Sequence, residues 1–443
     1  MKKIISYLDS KWSNSEFAYT LYKESKKMIL YTQYQVIHEL QLENLRRKVQ
    51  KGKKIRVLFL VVQASKFGYD SILRSMQQSD LFEPFILVAS HYDSLFDNES
   101  MYMSMAKTDY EAVCKKGYET YFAYDEYGVP TPMWEFKPDI VFYNELSDMG
   151  YYKVSIINRE FLTCFVSYGM TTANRGEKQY RKEQRNSCWK MFLESRYVYE
   201  EYAKHSCING MNAVLTGYPK LDEYAGYDSN IQNNTEGERK LVIYAPHWSI
   251  RDRGGYNLNF ATFPIYYRKM MELVKDNPSV DFIMKPHPRL GICIKELEGQ
   301  KDFSLTYAEY EAYLKEWDSL DNGRVVTDGD YITIFKKSSC MIMDSGSFIS
   351  EYLPSGHPCI YLLNPQKKNP LDDYNAFSRK ILETYYCCTD WTSVSQHFNN
   401  IIYNNIDEKK DDRKKMERQF VNIGCAGAKI VEYIKNEIEA EGL

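Results

Sequence analysis

The run Ile55-Arg56-Val57-Leu58-Phe59-Leu60-Val61-Val62 limits what this chain can become more than any other segment. It is too short for a typical helix, rich in β-branched and aromatic residues, and apolar on both alternating faces, as expected of a strand covered from both sides in a parallel sheet. Parallel strands need crossover connections, and the sequence supplies them. A helix-like stretch at 69–79 follows, and residues 84–89, 140–143 and 161–166 repeat the short apolar run with polar or helix-compatible segments between them. Residues 228–239, rich in Asn, Asp and Gly, have little apolar surface to bury and read as a linker. Beyond it a second series of strands is expected at 241–245, 280–284, 324–326, 340–343 and 359–363, with helices at 263–275, 331–337 and 347–353. The expectation is an α/β chain of two Rossmann-like, doubly wound domains facing a cleft, with ligands bound beyond the carboxyl ends of the strands.

Helical segments flank this core. From 15 to 50 there is no Pro or Gly, and Phe17, Leu21, Met28, Ile29, Tyr34, Ile37, Leu40 and Leu45 recur at helical spacings. This preface ends in Arg46, Arg47, Lys48, Lys51, Lys53, Lys54 and Arg56, a cluster suited either to anionic lipid headgroups at a membrane surface or to simple solvation ahead of the first strand. From 393 onward the pattern is again helical, ending at 427–441. The expected division is 1–52 as a helical extension, 53–227 and 240–392 as the two Rossmann-like domains, and 393–443 as C-terminal helices.

Composition removes several function classes. At 443 residues the chain has room for two to three domains of about 150 residues each. With 57 Lys+Arg against 60 Asp+Glu the net charge is -3, so no excess of positive charge exists to neutralise a nucleic-acid backbone. No stretch reaches the roughly 18 apolar residues of a membrane span, and the first residues lack the apolar run of a signal peptide, so a cytoplasmic location is expected. Ten cysteines without paired metal-type spacing read as reduced thiols, not as a disulfide framework or a zinc site. No metal and no cofactor are expected.

Three segments carry candidate chemistry, each placed just after an expected strand. In Tyr244-Ala245-Pro246-His247-Trp248-Ser249-Ile250-Arg251, an imidazole, a hydroxyl and a guanidinium can face an anion. In Met284-Lys285-Pro286-His287-Pro288-Arg289, two prolines fix the backbone around one His, while Lys285, His287 and Arg289 supply charge suited to a pyrophosphate. The third comprises Asp330-Tyr331 and then Asp344-Ser345-Gly346-Ser347 running toward Glu351, where small residues would expose backbone N–H groups to a phosphate and Glu351 could accept from ribose hydroxyls. Ordinary N-capping by Asp344 or Ser345 is compatible with the same pattern. No Walker motif and no Gly-x-Gly-x-x-Gly fingerprint is present.

Together these motifs resemble the CDP-glycerol glycerophosphotransferase family of teichoic-acid and surface-polysaccharide synthesis, over about residues 164–363. The resemblance implies a GT-B fold, an acceptor domain followed by a nucleotide-donor domain, a CDP-activated donor, a carrier-linked saccharide acceptor and no nucleic acid. It implies that His287 contacts the pyrophosphate and that Asp344, Ser345, Gly346 and Ser347 form the donor-phosphate loop, with Lys285, Arg289, Arg251, Ser249, Asp330 and Glu351 around the donor. One position departs from the family. The polymerases carry a His-Gly pair after a strand of the first domain, the His serving as general base, whereas the matching pair here is Tyr168-Gly169. A phenol holds its proton at neutral pH and is a poor base unless activated. His247 is then a candidate to take over, so that His247, His287 and Tyr168 are the catalytic candidates and Gly169 lies on the acceptor side. Two readings compete with this: a nucleotide-sugar glycosyltransferase on the same fold, and a nucleotide-binding protein of a polysaccharide assembly complex without transferase activity.

Other residues read as structural. His91 and Asp93 lack further ligands at metal spacing, residues 217–222 form a Gly-x-Pro-x-x-Asp turn, and His38, His205, His357 and His397 have no constellation around them.

Overall fold

The computed structural model describes residues 16–90, 99–146, 150–174, 179–180, 182–229, 239–251, 259–327 and 330–440. His91, Asp93 and most of the linker segment 228–239 lie outside the described residues. The chain divides into two compact units, one of Met1–Tyr168, Glu177–Lys220 and Cys425–Leu443, the other of Gly169–Gly176 and Leu221–Gly424.

The first unit is built on a seven-stranded parallel sheet. Its strands are β1 (Ile55–Val61), β2 (Phe82–Val88), β3 (Thr120–Phe122), β4 (Ile140–Tyr143), β5 (Leu162–Val166), β6 (Lys190–Leu193) and β7 (Ala213–Leu215), in the order β3-β2-β1-β4-β5-β6-β7. The register sets Phe59 of β1 against Ile86 on one side and Phe142 on the other, and the Phe59 and Phe142 rings stack at 4.7 Å. The unbroken apolar run of β1 has a direct cause, since both faces of the sheet are covered. Val57, Phe59 and Val61 face Ile72, Leu73 and Met76 of helix Asp70–Gln77 and Ile430 and Ile434 of helix Ala426–Glu439. Leu58 and Leu60 belong to a second core with Tyr152, Val154 and Tyr202. Gly427 permits the two helices on the first face to meet, because a Cβ there would stand 2.4 Å from Ser71 Oγ and 2.8 Å from the Ser71 carbonyl carbon.

The second unit holds a six-stranded parallel sheet of β8 (Leu241–Ala245), β9 (Asp281–Met284), β10 (Gly323–Val325), β11 (Cys340–Met343), β12 (Cys359–Leu362) and β13 (Tyr386–Cys388), ordered β10-β9-β8-β11-β12-β13. Val242, Tyr244, Phe282 and Ile342 join Phe263, Met270, Trp317 and Phe398 in its core. Both sheets start in their middle and wind outward in both directions, so strand order reverses between β1 and β4 and again between β8 and β11. Crevices at the carboxyl ends of such strand pairs are where doubly wound sheets hold ligands. Two parallel doubly wound sheets, as the sequence led us to expect, are thus present; β3, β6, β7 and β13 were not anticipated.

The helical preface comprises helices Glu16–Thr32 and His38–Gln50 joined through a π-helical turn, Gln33–Ile37, and it anchors to the first core through Leu42 and Leu45. Part of its basic cluster is spent on ion pairs: Arg46 with Glu39 and Glu43, Lys48 with Asp139 at 2.5 Å, and Arg56 with Glu83. Arg47, Lys51, Lys53 and Lys54 are exposed. Among the described residues no helix is long and apolar enough to cross a membrane.

Candidate functional site

The loops after β8 and β9 are tied together by an extension of the strand ladder. Lys285 N–H donates to the Tyr244 carbonyl at 2.8 Å and His287 N–H to the Pro246 carbonyl at 3.1 Å. Proline at 246, 286 and 288 removes competing donors, so this pairing fixes where both imidazoles sit. Their ring centroids are 5.4 Å apart, and the Trp248 ring lies 6.0 Å from that of His287. The Arg289 guanidinium stands over Trp248 at 4.6 Å, a cation–π contact that helps to hold it in place.

The hydrogen bonds define both tautomers. His247 Nδ1 accepts from the Ser249 N–H at 3.2 Å and lies 2.7 Å from Ser249 Oγ, which itself accepts from the Phe260 N–H at 3.2 Å and so donates its own proton to the ring. His287 Nδ1 accepts from the Arg289 N–H at 3.1 Å. In each neutral ring the proton therefore resides on Nε2, a donor and not a base. For His247, burial first and the neighbouring His287 second hold the imidazole well below its ordinary value of 6.5, so it stays neutral at physiological pH.

Asp344, at the end of β11, is fully buried and its carboxylate is engaged within the unit. Oδ1 accepts from the His247 N–H at 2.5 Å, and Oδ2 accepts from the Thr262 N–H at 2.5 Å and the Thr262 hydroxyl at 2.8 Å. Burial pushes this carboxyl up to about 6, with the Thr262 and His247 donors pulling the other way. Asp344 thus positions the His247 loop and the start of helix Phe263–Asp276. Thr262 was not singled out in the sequence, although a Thr before Phe263-Pro264 carries an N-cap signature.

Beyond Asp344, Ser345 and Gly346 are buried and Ser347 is half-buried at the entry to helix Phe348–Tyr352. That helix has five residues and passes into a 3-10 turn, Leu353–Ser355, so a large end charge is not built here. Backbone N–H groups and nearby cations remain the means of holding an anion. Glu351, 1% exposed, accepts a short hydrogen bond from the Tyr331 hydroxyl, and Lys285 Nζ lies 5.7 Å from the Tyr331 ring. Gly169 adjoins this group: a Cβ on it would stand 3.7 Å from Ser347 Cβ and 3.9 Å from Glu351 Oε1. The structure therefore gathers two contact groups: His247, Ser249, Asp344, His287 and Arg289, and Lys285, Tyr331, Glu351, Ser347 and Gly169. Ser345 and Gly346 join them along the chain.

Two candidates are engaged elsewhere. Arg251 donates to Gln300 Oε1 at 2.6 Å, and Asp330 is exposed and accepts from the Thr333 hydroxyl at 3.3 Å; Asp328 and Gly329 lie outside the described residues. Tyr168 belongs to the first unit, where it is 45% exposed beside Lys66. Among the described residues no group of three or more His, Cys, Asp or Glu side chains is arranged to hold a metal ion.

Two doubly wound parallel units define a fold class, the GT-B type, and the solved structures agree. The chain is similar to a variant of the wall teichoic acid polymerase TagF soaked with CDPG, with a TM-score of 0.53 and 12% identity over 91% of this chain and 98% of that one. It is similar to a UDP-N-acetylglucosamine 2-epimerase with a TM-score of 0.52 and 14% identity over 88% and 99%. A protein assigned the same activity, from Listeria monocytogenes, gives 0.52 and 12% over 88% and 99%. At these identities the likeness establishes the fold and leaves the reaction to the site. The sequence matches no protein-family model and no curated protein.

Proposed function

We propose that this protein is a transferase that moves glycerol phosphate, or a related polyol phosphate, from a CDP-activated donor to a hydroxyl of a carrier-linked saccharide in surface-polysaccharide or teichoic-acid-like synthesis, releasing CMP. The observation that carries the reading is the pair of strand-end imidazoles, His247 and His287, both Nε2–H tautomers 5.4 Å apart and flanked by Arg289. Two imidazole N–H donors and a cation suit a pyrophosphate, whose charge shifts toward the leaving group as the transfer proceeds. The motif resemblance and the fold shared with TagF, whose structure was determined with CDPG, support the choice of donor.

In this reading the second unit holds the donor. His287, Arg289 and Lys285 meet the pyrophosphate, backbone N–H groups of Ser345, Gly346 and Ser347 meet a phosphate oxygen, and Glu351 accepts from ribose hydroxyls. His247 acts as a donor held in place by Asp344, so the base that deprotonates the acceptor is another group. The acceptor oxygen attacks the distal phosphorus in line, the new O–P bond forms, and the P–O bond to CMP breaks. Exposed Arg47, Lys51, Lys53 and Lys54 would bring the enzyme to an anionic membrane surface if the acceptor is lipid-linked.

The test is nucleotide release from CDP-glycerol, CDP-ribitol and UDP-sugars by the purified chain, with and without alkyl-glycoside acceptors. Acceptor-dependent CMP release from a CDP-polyol supports the reading. UDP release instead would assign a nucleotide-sugar enzyme on the same fold.

A further inference from the structure

A short segment after β5, residues 169–174, belongs to the second unit and is stitched into it. Ala173 forms an antiparallel bridge with Tyr374. On either side of the bridge the Asn375 N–H donates to the Thr172 carbonyl at 2.9 Å, Asn375 Nδ2 to the Thr171 carbonyl at 2.6 Å, and the Asn174 N–H to the Asp373 carbonyl at 2.7 Å. The groups that hold the segment are themselves held. Asn375, 2% exposed, accepts from the Ser378 N–H at 2.8 Å and so caps helix Ala376–Glu383. The Tyr374 ring stacks on Phe260 at 4.8 Å, and its hydroxyl lies 2.8 Å from that of Tyr361, which donates to the Ser345 carbonyl at 3.3 Å.

The segment lies against the loop Ser345-Gly346-Ser347. A Cβ on Gly346 would stand 3.2 Å from Thr172 Oγ1, tighter than an ordinary contact, so glycine at 346 is what lets this hydroxyl approach the loop backbone. Thr172 is 7% exposed, and its hydroxyl has no hydrogen-bond partner among the described residues. The backbone N–H groups of Gly346 and Ser347 also donate to nothing among the described residues. Buried polar groups in folded proteins are nearly always paired, because an unmet donor forfeits its hydration without compensation. An unpaired hydroxyl side by side with two unpaired N–H groups therefore marks a place for a ligand rich in acceptors.

We propose that Thr172 is a donor-binding residue, its hydroxyl donating to a phosphate oxygen of the nucleotide donor beside Gly346; this deepens the function proposed above and rests on it. The helix that follows the loop, Phe348–Tyr352, has only five residues, so recognition here falls to individual hydrogen bonds. A hydroxyl bonded to a charged phosphate makes one of the stronger kind. The clamp on Asn375 and Tyr374 fixes the Thr172 backbone before the ligand arrives, so little ordering is left to be done on binding. Thr172 belongs to none of the three motif segments, all of which follow strands of the second sheet; the fold brings it to the same loop from the chain after β5.

The test is calorimetric titration of CDP-glycerol into the full wild-type chain, Thr172→Val and Thr172→Ser. Thr172→Val removes the hydroxyl and keeps the shape, and its affinity is expected to fall about tenfold or more, the loss of one hydrogen bond to a charged group. The melting temperature of the ligand-free Thr172→Val chain is expected to match the wild type, because no bond to that hydroxyl within the described residues is lost. Thr172→Ser keeps the hydroxyl and is expected to bind within about threefold of the wild type. Wild-type affinity in Thr172→Val, or an equal loss in Thr172→Val and Thr172→Ser, overturns the assignment, while binding by the wild type leaves the function standing. If the wild type itself binds no CDP-glycerol, the function and this assignment fall together.

Discussion

At the carboxyl end of the second sheet the polar groups look inward. Asp344 receives three hydrogen bonds, His247 Nδ1 is held by Ser249, and the polar atoms are buried among Trp248, Phe260 and Tyr374. At the corresponding end of the first sheet, Lys66 and Glu145 are about one-fifth exposed and Tyr168 nearly half. The second arrangement spends its polar groups on holding rings and backbone still, as preorganised recognition of a charged ligand requires. The first keeps a charged pair within reach of solvent, where an ion pair is screened and adds little to stability. The difference follows from burial, since a carboxylate can be locked away only when fully hydrogen-bonded, whereas a partly exposed one keeps part of its hydration.

This contrast can be broken most forcefully at Asp344. Asp344→Ala leaves the Thr262 and His247 donors without an acceptor, and we expect a loss of stability on the order of 3–5 kcal/mol, read by urea unfolding. Asp344→Asn should cost less, because its amide carries no charge to bury. A loss below the effect of an ordinary surface substitution would show that the inward network is not what holds this end together.

The next effect is acid sensitivity, which compares the two units. In the first, burial and then Lys190 lower the His38 imidazole from 6.5 to about 4, and neither ring nitrogen has a partner among the described residues. The unfolded chain binds this proton near 6.5 and the folded chain only near 4, so the stability present above pH 6.5 is lost as pH falls toward 4, up to about 3 kcal/mol. In the second unit, His247 and His357, the latter lowered to about 4 by burial, act in the same sense. Asp344 acts in the opposite sense: its carboxyl is raised from 3.8 to about 6, so its ionisation destabilises the fold as pH rises across that interval and its protonation offsets part of the histidine penalty. We expect His38→Leu to flatten the decline in melting temperature between pH 6.5 and 4; an unchanged slope would place the acid sensitivity elsewhere.

The smallest effect belongs to the open end. Lys66→Met removes a partly exposed ion pair and should change stability by less than about 1 kcal/mol, read by urea unfolding. A stability loss comparable to that of Asp344→Ala would erase the distinction between the two ends.

Much of this organisation was legible in the chain, and the omissions share a cause. Strands buried on both faces, such as β1, β4, β5, β11 and β12, declare themselves by local apolar runs. β3, β7 and β13 are three-residue edge strands, too short to show a period, and β3 and β7 hold no buried residue; β10 is as short and as exposed, and was anticipated at 324–326. β6 is interior but begins with Lys190, whose burial depends on Tyr433 and Glu437 from a helix some 240 residues away, and no local window contains that information. At the site, His247, His287 and the Asp344–Ser347 segment were found because each follows a strand. The use of Asp344 as an internal acceptor was hidden, since its partner Thr262 is distant in sequence. The Lys66–Glu145 ion pair was hidden for the same reason: neither residue belongs to a motif, and only the sheet order brings them together.

The central claim is that the second unit holds a CDP-activated donor through His287 and its neighbours. Calorimetric titration of CDP-glycerol into the wild-type chain and into His287→Ala tests it most directly. The account predicts one site in the wild type and an affinity at least about tenfold weaker in the variant. Equal binding by wild type and His287→Ala, or no binding by either, would contradict it.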